Sequence, residues 1–124
     1  MSKRILIVDD QEDLRSVLRD LLIGSGYTVV EAEDGEIGVA KATSDRPDLI
    51  LMDIQMPVID GYEATRLIKV DPDLKPIPIV AVSSFAMKGD EEKARAAGCD
   101  HYVTKPYSLM QLLRLIRGLL DDKL

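Results

Sequence analysis

Residues 4–10 read Arg4-Ile5-Leu6-Ile7-Val8-Asp9-Asp10. The apolar run is continuous rather than alternating, as expected of a parallel strand covered on both faces. It stops abruptly in two carboxylates. Similar runs follow at Thr28–Ala32, Leu49–Met52, Pro78–Val82 and His101–Thr104. Between them lie stretches with helical spacing. Leu14, Val17, Leu18, Leu21 and Leu22 make one stripe, and Leu109, Leu112, Leu113, Ile116, Leu119 and Leu120 another. Tyr62–Ile68 and the alanine-rich segments Glu36–Thr43 and Met87–Ala97 supply three more predicted helices. Gly24 and Gly26 close the first helix, Asp34-Gly35 turns into the second, Pro47 follows it, Gly98 ends the fourth and Ser108 is placed to cap the fifth.

Strand and helix thus alternate five times. This pattern predicts an α/β fold with a doubly wound, five-stranded parallel sheet, right-handed crossovers and helices on both faces. The common strand order is 2-1-3-4-5, which places a site outside the carboxyl ends of strands 1 and 3. The 124 residues suit one domain over 1–124.

Composition removes several functions. A net charge of -6 argues against a surface that neutralises nucleic-acid phosphates or an anionic membrane. One cysteine, Cys99, forbids an internal disulfide and reads as a small buried hydrophobe. No apolar run approaches a membrane span and no signal peptide is evident, so a cytoplasmic location is expected.

The chemistry sits where the strands end. Strand 1 ends in Asp9-Asp10, strand 3 in Asp53, strand 4 in Ser83-Ser84 and strand 5 in Lys105-Pro106. Each piece alone has an ordinary explanation, as a solvated loop, a cap or a surface charge. Together, at the ends of the correct strands, they converge on one edge. Three crowded carboxylates repel one another unless a cation sits among them, and an all-oxygen donor set favours Mg2+. Asp53, on the central strand, is the candidate nucleophile toward phosphorus. Lys105 can place a point charge on a phosphate oxygen, and Ser83 can donate a hydroxyl to another.

At this point the chain resembles bacterial response-regulator receiver domains. The matching segments are ILIVDD (5–10), DLILMDIQMPVIDGYE (48–63), PIVAVSS (78–84) and GCDHYVTKPY (98–107). The resemblance implies that Asp53 is the phosphoacceptor. Asp10 would bind Mg2+ directly, Asp9 through water, and the Gln55 backbone carbonyl would be a further ligand. Ser83 matches the switch hydroxyl and Tyr102 the aromatic that moves with it. Lys105-Pro106 would be a cis peptide, and Pro57 and Gly61 would shape the loop after Asp53.

The segment 85–92 is similar to that of DivK-type single-domain regulators of alphaproteobacteria. Phe85, two residues beyond the switch hydroxyl, is expected to hinder the hydrolytic water and slow dephosphorylation. The implied phosphodonor is a sensor histidine kinase or a histidine phosphotransfer protein. It would dock near Leu14, Arg15, Pro57 and Tyr107, although Leu14 equally continues the core stripe. A downstream target protein would read the face of helix 4, strand 5 and helix 5, with the chain a monomer or a weak phosphorylation-linked dimer.

Three other readings stand beside this one. An aspartyl-phosphate hydrolase would want an acid/base carboxylate where Gln55 stands. A flavodoxin-type site would be repelled by Asp9-Asp10. A receiver excised from a larger regulator or hybrid kinase would share every motif named here.

Overall fold

The computed structural model describes residues 2–84 and 89–121. The chain runs β1 (Arg4–Val8), α1 (Glu12–Gly24), β2 (Thr28–Ala32), α2 (Gly35–Asp45), β3 (Leu49–Asp53), α3 (Gly61–Lys69), β4 (Ile79–Ser83), α4 (Asp90–Ala97), β5 (His101–Thr104) and α5 (Leu109–Asp121). Its five strands form one sheet in the order β2-β1-β3-β4-β5, and all the pairings are parallel. The expected architecture is therefore observed.

The continuous apolar runs have their predicted cause. Both β3 and β4 are buried at every position, because helices cover both faces of the sheet. Alternate residues feed two cores. Leu6, Val8, Ile50, Met52 and Ala81 pack with Ala64, Ile68 and Ala94 of α3 and α4. Ile5, Ile7, Leu49, Leu51 and Val80 pack with Leu18, Leu22, Leu112 and Ile116 of α1 and α5.

Local chemistry sets the helix starts. The Asp34 carboxylate accepts from Ile37 N at 2.8 Å to cap α2, and Asp60 accepts from Glu63 N at 2.9 Å to cap α3. Ser108 Oγ accepts from Gln111 N at 3.3 Å at the head of α5, as the sequence predicts. Cys99 is buried, with its Sγ 3.6 Å from Thr65 Oγ1.

Several element boundaries differ by a residue or more from the predicted segments. The third strand extends one residue past its apolar run to end in Asp53, as the sequence predicts, because Asp53 still pairs with Val82. The fourth begins at Ile79, while Pro78 contributes only its carbonyl, accepting from Ile50 N at 3.0 Å. The fourth helix begins at Asp90, after Gly89 in the left-handed region at φ 101°. Of its predicted start, Met87 and Lys88 lie outside the described residues, as does Phe85. No helix among the described residues is long and apolar enough to cross a membrane.

Candidate functional site

The strand registers bring the acids together. Val8 pairs with Ala32 on one side and Met52 on the other, so Asp9 emerges beside Asp53 at the carboxyl edge of the sheet. Asp9 and Asp53 are only 4% and 3% exposed, whereas Asp10 faces solvent. One carboxylate oxygen from each of the three lies within 4.8 Å of the others. Lys105 enters from the end of β5, with its Nζ 3.5 Å from Asp53 Oδ1 and 4.0 Å from Asp9 Oδ2.

Backbone groups fix these side chains. Asp9 Oδ1 accepts from Gln11 N at 2.8 Å, and Asp53 Oδ1 accepts from Gln55 N at 3.2 Å. The Gln55 side chain spans the cleft, accepting from Ser84 N at 2.9 Å. Lys105 is carried by its own N–H, which donates to the Ser83 carbonyl at 2.7 Å. Gly61 lets α3 begin directly beneath the end of β3. Its N–H donates to Ile54 O at 2.9 Å, and a Cβ there would stand 2.7 Å from Ile54 Cα and closer still to the Asp53 carbonyl. The Lys105-Pro106 bond is cis.

The electrostatics are strained. Burial, and then the Asp9 charge, push the Asp53 carboxyl up to about 6 against an ordinary 3.8. Burial likewise raises Asp9. Lys105 opposes both rises without cancelling either. Asp53 remains mostly ionised at neutral pH, though by a narrower margin than a free carboxylate has. A hard divalent cation fits this all-oxygen, under-compensated donor set.

The other expected residues are distributed unevenly. Ser83 is fully buried at the end of β4. Tyr102 is half-buried and packs against the core beside α3 and α4. Pro57 is exposed. Leu14 is half-buried against the core of α1 and α5, as its stripe suggests. Arg15 turns inward. Its Nε donates to Glu31 at 3.0 Å and its Nη1 to the Asp9 carbonyl at 2.7 Å. Tyr107 also turns inward against the α1–α5 core. Its hydroxyl is buried without a hydrogen-bond partner among the described residues, and burial, then the Asp9 and Asp53 charges, push the phenol up to about 12.

Sequence reasoning missed a brace behind Asp9. Glu31 also accepts from Arg19 Nη1 at 3.1 Å, and its carbonyl accepts from Lys41 Nζ. It missed Val58 as well, a β-branched residue at φ 73° in the loop after Asp53. Neither left a signal in residue spacing.

This fold and this edge of converging acids define a class. The chain belongs to the response regulator receiver domain family, whose model matches residues 5–117. It is 43% identical over 122 residues to the polar-differentiation response regulator DivK of Brucella anthropi, covering 98% of this chain and 99% of that one. DivK of Brucella ovis is equally similar, with the same coverage. Among solved structures, the Vibrio cholerae chemotaxis protein CheY4 superposes with a TM-score of 0.91 at 28% identity, over 97% of this chain and 100% of that one. The receiver domain of the Pseudomonas aeruginosa sensor histidine kinase PA1611 gives 0.89 at 35% identity, over 98% and 99%; it was solved with magnesium coordinated in its active-site cleft.

Proposed function

We propose that this receiver is a phosphorylation switch in which Asp53 accepts a phosphoryl group from a phosphohistidine. The donor is a sensor histidine kinase or a histidine phosphotransfer protein. The single observation that carries the reading is the convergence of Asp9, Asp10 and Asp53 within 4.8 Å, with Lys105 at 3.5 Å from Asp53. A magnesium ion in the PA1611 receiver's cleft supports the cofactor.

Asp9, Asp10, Asp53 and the Gln55 carbonyl would hold Mg2+, which offsets charge on the transferred group when bound. The ionised Asp53 oxygen attacks phosphorus. A P–O bond forms, the donor P–N bond breaks, and the electron pair leaves with the imidazole, which takes up a proton. Lys105 steadies a phosphoryl oxygen as a point charge. Ser83 donates its hydroxyl to another, and Tyr102 follows into the space this vacates.

The altered face of α4, β5 and α5 is then read by a downstream target protein, which must prefer one state for any signal to pass. The donor docks over the acid edge, where Pro57 is exposed. Leu14, Arg15 and Tyr107, being turned inward, shape that edge from beneath. In this reading the chain works in the cytoplasm, as a monomer or a weak phosphorylation-linked dimer.

Acetyl phosphate with Mg2+, followed by mass spectrometry, tests the reading. One phosphoryl group is expected, and it should be absent in Asp53→Asn and in chelator. No uptake by the unaltered protein would overturn the proposal.

A further inference from the structure

Asp9 and Asp10 flank one planar peptide group, so the tilt of that plane governs where both side chains start. Its carbonyl, that of Asp9, accepts from Arg15 Nη1 at 2.7 Å. Among the described residues no other side chain donates to it. Arg15 reaches this carbonyl because it stands in the first turn of α1, its own N–H donating to Gln11 O at 3.0 Å. Long helical side chains lean back toward the start of their helix, here toward the loop that carries the two acids. The Arg15 side chain is 13% exposed, and its Nε donates to Glu31 Oε1 at 3.0 Å. Glu31 is held in turn by Arg19 Nη1 at 3.1 Å and by its place on β2, opposite Ile7 of β1. The planar guanidinium is therefore fixed on two sides. The Gln11 side chain, at the N-cap of α1, makes no capping bond and adds nothing to this hold.

We propose that Arg15 is a positioning residue for the metal acids, its guanidinium holding the Asp9–Asp10 peptide in the orientation that lets both carboxylates serve one cation. This rests on the Mg2+ reading above. The charge of Arg15 alone would act in the opposite direction, since a guanidinium near the pocket repels a second cation. Removing an Arg15 that acted only through its charge would tighten Mg2+ binding. Removing one that holds the peptide weakens it. A purely structural brace would affect stability and leave the folded protein's affinity no weaker than before.

Calorimetric titration of the full chain with MgCl2 tests the inference, each variant first shown to be folded by circular dichroism. Arg15→Met keeps the apolar stem and removes every donor. It should weaken Mg2+ binding by about tenfold, the range for partners that orient metal ligands. Equal or tighter binding by folded Arg15→Met overturns the inference and leaves the functional reading intact. A second pair of variants decides the matter if Arg15→Met does not fold. Glu31→Gln and Glu31→Ala remove the same charge, but only the alanine also removes the acceptor that anchors Arg15 Nε. Glu31→Ala should bind Mg2+ several-fold more weakly than Glu31→Gln, as orienting partners act. Equal affinities in that pair overturn the inference. An unaltered protein that binds no Mg2+ overturns the functional reading itself.

Discussion

At the scale of single residues, the site is bought at the expense of stability. Asp53 is buried among like charges and its carboxyl is pushed up to about 6, above the ordinary 3.8. The folded protein therefore binds a proton more tightly than the unfolded chain does. By linkage, the metal-free fold loses stability as pH rises from about 4 to about 6, then levels off. Asp53→Asn should stabilise the metal-free protein at pH 7 by about 2 kcal/mol, and the gain should vanish near pH 4. Urea unfolding in chelator at the two pH values checks both expectations. Val58 is a second local cost. It is 71% exposed and so contributes little packing, yet it holds φ at 73°. Val58→Gly should raise stability by about 1 kcal/mol, the relief of strain exceeding the entropy that glycine adds to the unfolded chain. An unchanged or lower urea midpoint would contradict this.

At the scale of elements, α3 and α4 play opposite parts. The first residue of α3 is pressed against the end of β3, so Gly61→Ala should cost about 3 kcal/mol and displace the Asp53 loop. Unfolding measurements give the first quantity, and amide shifts around residues 53–55 report the second. Among its residues, α4 buries only Ala94 and Ala97, and glycines in the left-handed region flank it at φ 101° and 114°. Its amides should exchange with deuterium well before those of β3 and β4. Equal protection would show that α4 is not a readily shifted element.

Element by element, much of the fold could be read from sequence. A continuous apolar run needs no knowledge of its neighbours to be read as a buried strand, and Asp9, Asp53, Ser83 and Lys105 stand out because they end such runs. The Arg15–Glu31 pair could not be read in this way. Its partners lie 16 positions apart and meet only once β2 has paired with β1. The inward turn of Arg15 and Tyr107, both expected toward a docking partner, likewise depends on tertiary packing, as does the sealing of the Tyr107 hydroxyl.

At the scale of the whole molecule, two cores sandwich a sheet whose carboxyl edge concentrates negative charge. A cation that binds only the folded state adds stability by mass action. Chelator should therefore lower the urea midpoint substantially at pH 7.5, where Asp53 is ionised, and much less near pH 5, where it is mostly protonated. An equal drop at both pH values would disconnect the cation from these carboxylates.

The Lys69 ammonium has a practical consequence. It donates to the carbonyls of Lys75 and Ile77 at 2.9 and 2.7 Å and pairs with Asp100 at 3.2 Å, lashing residues 70–78 to the ends of α3 and β5. A tag or reporter inserted in that loop would pull on the strand that carries Ser83. The turn at Gly24 has nothing within 4 Å of an added side chain and lies at the amino-terminal edge of the sheet, away from the acids. That turn is the place to attach a fluorophore without disturbing the acid edge.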